Sequence, residues 1–502
     1  MSDPRHILAL DQGTSSSRAI VFDELARPIS IGQYELVCRY PRPGSVEQDA
    51  LELLETQLSA AGDALARAGI DGRDVAAVGI ANQRETTVAW DDAGRPLLPA
   101  IVWQDRRTAE RCRALRDAGV EPSIRARTGL LLDPYFSATK MAWLLEQIPD
   151  GAARASRGEL HLGTVDAFLA WHLTGGRTLA TDASNASRTL LLDLETLDWA
   201  PDMLELFGVP EAALPRVHAT DADFGSTLPE LFGAPIPIRA MVGDQQAALF
   251  GQLCLLPGEA KITYGTGSFH LMTTGSQVPR PPRGLLATVG WLRTVGGPTY
   301  AVEGSVFVAG AAVRWLRDGL GLISESSEVE ALAASVPDAG GAVFVPAFAG
   351  LGAPYWDPDA RGLITGLTAG VTRAHLARAT LEAIAQQTVD LVEAFDAPGL
   401  PPMDRLRADG GAAGDLLLQL QADLLGRPVQ RAPLAEATTA LGAALLAGRS
   451  IGLWTSDAQL AGLVGAGPVF EPHADADWRS EMRQAWASAI SRARTGPVQP
   501  HP

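Results

Sequence analysis

Two short stretches of this chain follow one scheme. "DQGTSSSRAIVFD" occupies residues 11–23 and "TYGTGSFHLMTTG" occupies residues 263–275. In each, a strand-like run reaches Gly-Thr, then Ser or Gly, then Ser, and a second strand-like run follows at once. Strand, tight polar turn and strand is the pattern of a β-hairpin. The two copies lie roughly half a chain apart. Two readings are open on the hairpins alone. Gly-Thr turns are common enough for the likeness to be chance. The alternative is an internal duplication, in which two related α/β units each offer a Gly-Thr hairpin to one cleft.

The surrounding pattern bears on both readings. A chain of 502 residues points to more than one domain. Strand-like runs recur at His6–Leu10, Ala19–Phe22, Ala76–Ile80, Thr87–Trp90, Ala260–Tyr264, His270–Thr273, Thr299–Glu303 and Val343–Pro346. Helical spacing lies between some of them. Residues 49–68 set Leu51, Leu54, Leu58, Ala61 and Leu65 three and four apart, which predicts one apolar face. Asp49 with Glu52 predicts a capping box, and Gly69 a stop. Residues 373–396 predict a second such helix through Ala377, Leu381, Ile384, Thr388, Leu391 and Phe395. Strands alternating with helices predict α/β layers.

Charge and cysteine usage exclude some functions. The net charge is −17, and nucleic acid and anionic membranes call for basic patches instead. The three cysteines, Cys38, Cys112 and Cys254, are far apart and lack metal-ligand spacing, so reduced thiols in a cytoplasm are expected. The start, "MSDPRHILALDQG", carries no leader pattern, and no apolar run reaches membrane-spanning length.

Six segments carry chemistry-bearing residues. In the first hairpin, hydroxyls and backbone N–H groups suit phosphate oxygens. Asp11 would repel phosphate unless a divalent cation lies between, so it suits a water-mediated Mg²⁺ on a nucleotide, and Arg18 adds positive charge. In "GIANQRETTVAWD", residues 79–91, Arg84 and Glu85 offer donors and acceptors for a polyhydroxylated neutral substrate; a buried ion pair at a strand end is the equal alternative. Trp103, Tyr135 and Trp143 stand beside polar groups and line either a pocket or a core. Asp244 and Gln245 follow the run Ile236–Val242, where α/β proteins put catalytic groups; Asp244 reads also as an N-cap. "ADGGAAGD", 408–415, is a glycine-rich turn opening a helix.

Taken in order, these segments resemble the FGGY family of carbohydrate kinases, and within it the members that phosphorylate glycerol. The resemblance covers nearly the whole chain. It is carried by "ALDQGTSSSRAIVFD", "GIANQRETTVAWD", "IVWQDRRT", "GLLLDPYFSATKMAWLL", "TDASNASRTLLLD", "GDQQAALFGQ", "TYGTGSF", "EGSVFVAGAAVRWLRDGLG", "FAGLGAPYWDPDARGLITGLT", "TRAHLARATLEAIAQQT", "RADGGAAGDLLLQLQADLLG" and "TTALGAALLAG". "NQRET" and "DPYFS" separate it from the sugar kinases, whose likeness lies mainly in the nucleotide half.

The resemblance implies an α/β fold of two actin/hexokinase-like (ribonuclease H-like) domains, 1–247 and 248–502, with the catalytic cleft between them. It implies glycerol bound by Arg84, Glu85, Tyr135 and Gln245 against Trp103 and Phe269, with Asp244 taking the proton. It implies Mg²⁺ on ATP held by Asp11 and Asp244. Thr14, Ser15, Ser16, Arg18 and Thr266 are then phosphate contacts, with Gly310, Arg314, Gly411 and Asp415 around the nucleotide. A cytoplasmic homo-oligomer, dimer or tetramer, is implied as well. Several positions depart from the family pattern. Ser15 stands for a usual threonine, Arg314 for a glutamine and Ser45 for a tryptophan. The loop at 410–415 is one residue short, and "GAPIPI" lacks the arginine by which some relatives bind a sugar bisphosphate. Two alternatives remain: a kinase of another polyol or sugar, and an ATP-binding regulator without catalysis.

Overall fold

The structure is a computed structural model, and it describes residues 5–282 and 284–494. Residues 1–4 and 495–502, the outer ends of the two expected domains and part of the N-terminal stretch read for a leader, lie outside it.

Two mixed sheets organise the chain. In the first, His6–Gln12 pairs antiparallel with Ser16–Phe22, which pairs antiparallel with Pro28–Glu35. On its other side His6–Gln12 runs parallel to Val75–Asn82, which runs parallel to Ile238–Gly243. The second sheet repeats this plan. Glu259–Tyr264 pairs antiparallel with Ser268–Gly275, which pairs antiparallel with Gly297–Val306. On its other side Glu259–Tyr264 runs parallel to Arg405–Asp409, which runs parallel to Val429–Arg431. Leu286–Arg293 and Val469–Phe470 extend its two edges. A chance likeness of two turns gives no reason for a matching order and direction of five strands. The duplication reading of the hairpins therefore holds.

Burial explains why these runs become strands. Almost every residue of His6–Gln12 is buried, the mark of a strand covered on both faces. Each strand run expected from the sequence overlaps a strand; those at the hairpins are a little longer than expected, whereas Val343–Val345 stops one residue short, before Pro346, which has no N–H to give a ladder. A smaller four-stranded sheet joins Glu47–Gln48, Ala100–Ile101, Thr87–Asp91 and Leu160–Thr164. The chain thus leaves the first sheet at Asn82 and enters the smaller one at Thr87. The residues between them form the junction.

The helix Arg373–Phe395 buries all six positions that its spacing singles out. The helix Ala50–Ala68 differs from expectation. It buries Ala50, Leu53, Gln57, Ala60, Ala61, Ala64 and Leu65, whereas Leu51 is 44% exposed. The reason is close approach: a Cβ on Gly32 would lie 2.0 Å from the Ala60 carbonyl oxygen, so alanines face the strand and leucines flank the contact. Asp49 caps this helix through the Leu51 amide, without the reciprocal bond from Glu52; Gly69 ends it at φ 70°.

The two units meet through a pair of helices. Thr438–Ser450 packs on Asp244–Gly251 and on four strands of the first sheet. A Cβ on Gly442 would lie 1.8 Å from the Ala247 carbonyl oxygen, and one on Gly251 2.2 Å from that of Thr438. One core cluster accordingly joins Ile7, Ala9, Val242 and Leu249 to Leu441, Leu445 and Trp454. Among the described residues no helix is long and apolar enough to cross a membrane.

Candidate active site

The junction Gln83-Arg84-Glu85-Thr86 is a tight turn. The Thr86 amide donates to the Arg84 carbonyl at 2.7 Å, which puts Glu85 in the left-handed region at φ 60°. Such a conformation in a non-glycine residue is held by its surroundings. The Gln83 amide donates to the Gln12 carbonyl at 2.7 Å, and its side-chain nitrogen to the Gly13 carbonyl at 3.1 Å. These bonds tie the turn to the first hairpin.

Arg84 and Glu85 are 2% and 1% exposed, yet they are not chiefly partners of each other. The Arg84 Nη1 and Nη2 donate to the two carboxylate oxygens of Glu303 at 2.6 and 2.9 Å. Glu85 accepts from Arg188 Nε at 2.7 Å, and Arg188 Nη2 donates to Glu303 at 3.0 Å. The buried ion pair expected of adjacent charges is thus a four-residue network drawn from distant parts of the chain. Arg188 is brought in by "TDASNASR". Asp182 caps a short helix through the Ser184 and Asn185 amides, and Asn185 exchanges amide hydrogen bonds with Asn82 at 2.9 and 3.0 Å. Arg188 Nη1 lacks a hydrogen-bond partner among the described residues, but its guanidinium lies over the Tyr135 and Phe136 rings at 5.7 and 5.2 Å.

Electrostatics follow from this packing. Burial opposes the charge on Glu303, but Arg188 and Arg84 outweigh it and hold the carboxyl at about 2. Breaking one partner out of such a buried set costs about 3–5 kcal/mol.

Asp244 opens the helix Asp244–Gly251 directly after the strand Ile238–Gly243. The N-cap position belongs to Gly243, so Asp244 does not serve as the cap. Its Oδ1 accepts from the Gln245 amide at 2.7 Å and stands 3.3 Å from Arg84 Nε. Burial raises its carboxyl to about 6; Glu85 adds to this, while Arg84 and Lys261 pull the other way. Lys261 is fully buried, and its ammonium donates to the Gln245 side-chain oxygen and, at 2.8 Å, to Thr263.

The two hairpin tips close the other end. The Thr14 hydroxyl accepts from Trp103 Nε1 at 2.9 Å, linking the first tip to the aromatic wall. Trp103 stands edge-on to Tyr135 and to Phe269, with ring centroids 5.6 and 5.9 Å away. Trp143 instead stacks on Arg107 at 4.5 Å. In the second tip the Thr266 hydroxyl accepts from Arg314 Nη2 at 3.0 Å.

One cavity of about 500 Å³ collects most of these groups. Thr14, Ser15 and Arg314 line it with Thr266, and so do Arg84, Glu85, Trp103, Tyr135, Asp244, Gln245 and Phe269. The remaining expected residues stand outside its lining. Asp11 and Arg18 lie opposite each other on the hairpin and form a salt bridge of 2.6 Å. Ser16 accepts from Gln33 at 3.3 Å. The Gly310 amide donates to the Gly265 carbonyl at 2.9 Å, behind the second tip. Open space lies over Gly411, and Asp415 pairs with Arg431.

The FGGY family of carbohydrate kinases matches this chain twice, through its N-terminal domain over residues 6–251 and its C-terminal domain over residues 260–451. The chain belongs to that family. Glycerol kinase of Trichlorobacter lovleyi is 54% identical to this FGGY chain over 496 residues, 98% of the chain and 99% of the relative. Glycerol kinase of Thermus brockianus is 54% identical over 501 residues, with 98% and 99% covered. The crystal structure of Plasmodium falciparum glycerol kinase with ADP superposes with a TM-score of 0.89 at 33% identity, covering 98% and 99%. A gluconate kinase from Lactobacillus acidophilus shares the fold with a TM-score of 0.85 at 19% identity.

Sequence reasoning left out Glu303, Arg188 and Lys261 as site residues of this FGGY chain. Each stands in a motif that carries the resemblance or beside one. Their signal was a charge inside an otherwise apolar or small-residue run.

Proposed function

We propose that this FGGY kinase transfers the γ-phosphoryl group of ATP to a primary hydroxyl of glycerol, giving sn-glycerol 3-phosphate and ADP. The observation that carries the reading is that one cavity holds both sets of groups. Paired charges and two aromatic faces line one end, and two hydroxyl-bearing hairpin tips line the other. The relatives named above support it.

Glycerol would lie at the charged end, its hydroxyls meeting Arg84, Glu85, Tyr135 and Gln245 and its carbons facing Trp103 and Phe269. Such a site disfavours molecules that leave its buried polar groups unpaired. The attacking hydroxyl oxygen forms the new P–O bond, the bond to the β,γ-bridging oxygen breaks, and Asp244 receives the proton. A carboxyl lifted by burial is suited to that role. The phosphates would lie along Thr14, Ser15 and Thr266, with Ser16, Arg18, Gly310 and Arg314 behind them and Gly411 and Asp415 toward the base.

The acids also fit Mg²⁺. Asp11 gives one oxygen to Arg18, and Asp244 gives one to its neighbours, so each keeps a second oxygen without a partner among the described residues. Mg²⁺ is commonly held by one or two carboxylates with waters and phosphates. Bound there, it would neutralise phosphate charge. The division into domains 1–247 and 248–502 is part of this reading, supported by the repeated strand order. So is a cytoplasmic setting, supported by three free cysteines. The homo-oligomer, dimer or tetramer, rests on the family alone.

A coupled ADP-release assay with Mg-ATP and glycerol, erythritol, xylulose or no acceptor tests the reaction. Turnover confined to glycerol is expected. Preference for another acceptor would discard the substrate, and ATP binding without any turnover would discard the kinase reading.

A further inference from the structure

We infer that Glu303 is a positioning residue for the acceptor site, acting through Arg84 from the opposite sheet. The inference rests on Arg84 being a glycerol contact.

An arginine offers five N–H donors. On Arg84 each has a neighbour. Two go to Glu303 at 2.6 and 2.9 Å. The others meet Gln246 at 3.2 Å, the Tyr135 hydroxyl at 3.3 Å and Asp244 at 3.3 Å. The contacts divide by length. The two short ones form a bidentate carboxylate fork, which fixes the plane of a guanidinium as a single contact does not. The long ones toward Tyr135 and Asp244 are the ones a substrate hydroxyl can take over, because both partners line the cavity with Arg84. Glu303 therefore holds the back of the guanidinium while its front edge meets the acceptor.

The origin of the two residues matters as much. Arg84 follows a strand of the first sheet, whereas Glu303 lies on Gly297–Val306 of the second. Glu303 is 0% exposed, accepts also from Arg188, and bonds Ser305 at 3.1 Å. Separation of the two sheets would strip two buried arginines of their shared carboxylate. Acceptor recognition and the closed arrangement of the units are thus joined in one side chain. A carboxylate serving stability alone would not need its two shortest bonds on the residue that faces the acceptor.

The test is a double-mutant cycle of Glu303→Gln with Arg84→Ala, measuring KM for glycerol, KM for ATP and kcat. We expect Glu303→Gln to raise the glycerol KM tenfold or more and leave the ATP KM within twofold. In the Arg84→Ala background the same change should raise the glycerol KM less than twofold further. A folded Glu303→Gln enzyme with an unchanged glycerol KM, beside a raised KM in Arg84→Ala, overturns this inference alone. Equal effects of Glu303→Gln in both backgrounds also overturn it. Wild-type glycerol KM in Arg84→Ala overturns this inference together with the glycerol assignment. Should Glu303→Gln fail to fold, Arg84→Ala supplies the second measurement. With Glu303 in place, millimolar guanidinium should restore glycerol turnover where tetramethylammonium does not, and absence of that rescue overturns the inference.

Discussion

The two halves of this kinase share a strand order and a hairpin, but their hairpins carry different chemistry. In the first, Asp11 stands opposite Arg18. At the matching place in the second, Thr263 stands opposite Phe269. One hairpin thus presents an ion pair and the other a hydroxyl and an aromatic wall. The difference extends beyond the hairpins. The last parallel strand of the first sheet leads directly into Asp244, whereas the corresponding strand Val429–Arg431 is followed by a helix that packs across the interface. A repeated backbone supplies the geometry of a cleft. On the proposed reading, divergent side chains then put Asp244 and most of the acceptor contacts on the first half, while Thr266, Phe269 and Arg314 line the cavity from the second.

The largest test of that asymmetry is Asp244→Asn. Loss of the proton acceptor should lower kcat about 10³-fold, within the usual range for a general base, while ATP binding measured by calorimetry persists. An enzyme with most of its activity would return Asp244 to a structural role. Next comes Glu85→Ala, which removes one acceptor of the charged end and leaves Arg188 short of a partner. The glycerol KM should rise about 10–100-fold, the worth of one charged hydrogen bond, with the ATP KM little changed. A matching rise in both would mean general damage instead.

Glycine at the interface gives a smaller, purely structural effect. Gly442→Ala sets a methyl against the Ala247 carbonyl and should cost about 1–3 kcal/mol, read by denaturant unfolding. Gly62→Ala is the control, since nothing lies within 4 Å of its added carbon. In a helix that change should stabilise by about 0.5–1 kcal/mol. Equal outcomes at the two sites would break the account of the helix pair. Smallest of all is Arg314→Ala on the second half. It removes an exposed contact to Thr266, so the ATP KM should rise about 2–10-fold and the glycerol KM should not move.

Much of this was readable from residues alone. The hairpins, the alternation of elements and the helix Arg373–Phe395 follow from local periodicity. Most of the cavity lining was legible because those residues stand in local motifs, whereas Leu36, Val37, Cys38 and Tyr40, just after the strand Pro28–Glu35, stand in none of them. Two kinds of feature were not. The burial of the helix Ala50–Ala68 is set by contact with Gly32, and leucine spacing carries no trace of a glycine on another strand. Glu303 reads locally as the polar end of an apolar run, and its partners Arg84 and Arg188 lie 219 and 115 residues away. Only the folded pairing of the two sheets gives that charge its meaning.

The most direct test of the central claim is a crystal structure with glycerol and a non-hydrolysable ATP analogue. The account predicts glycerol between Trp103 and Phe269, with a hydroxyl beside Asp244 and the terminal phosphate between the tips at Thr14–Ser15 and Thr266–Gly267. Glycerol bound elsewhere, or a phosphate chain outside the two tips, would contradict it.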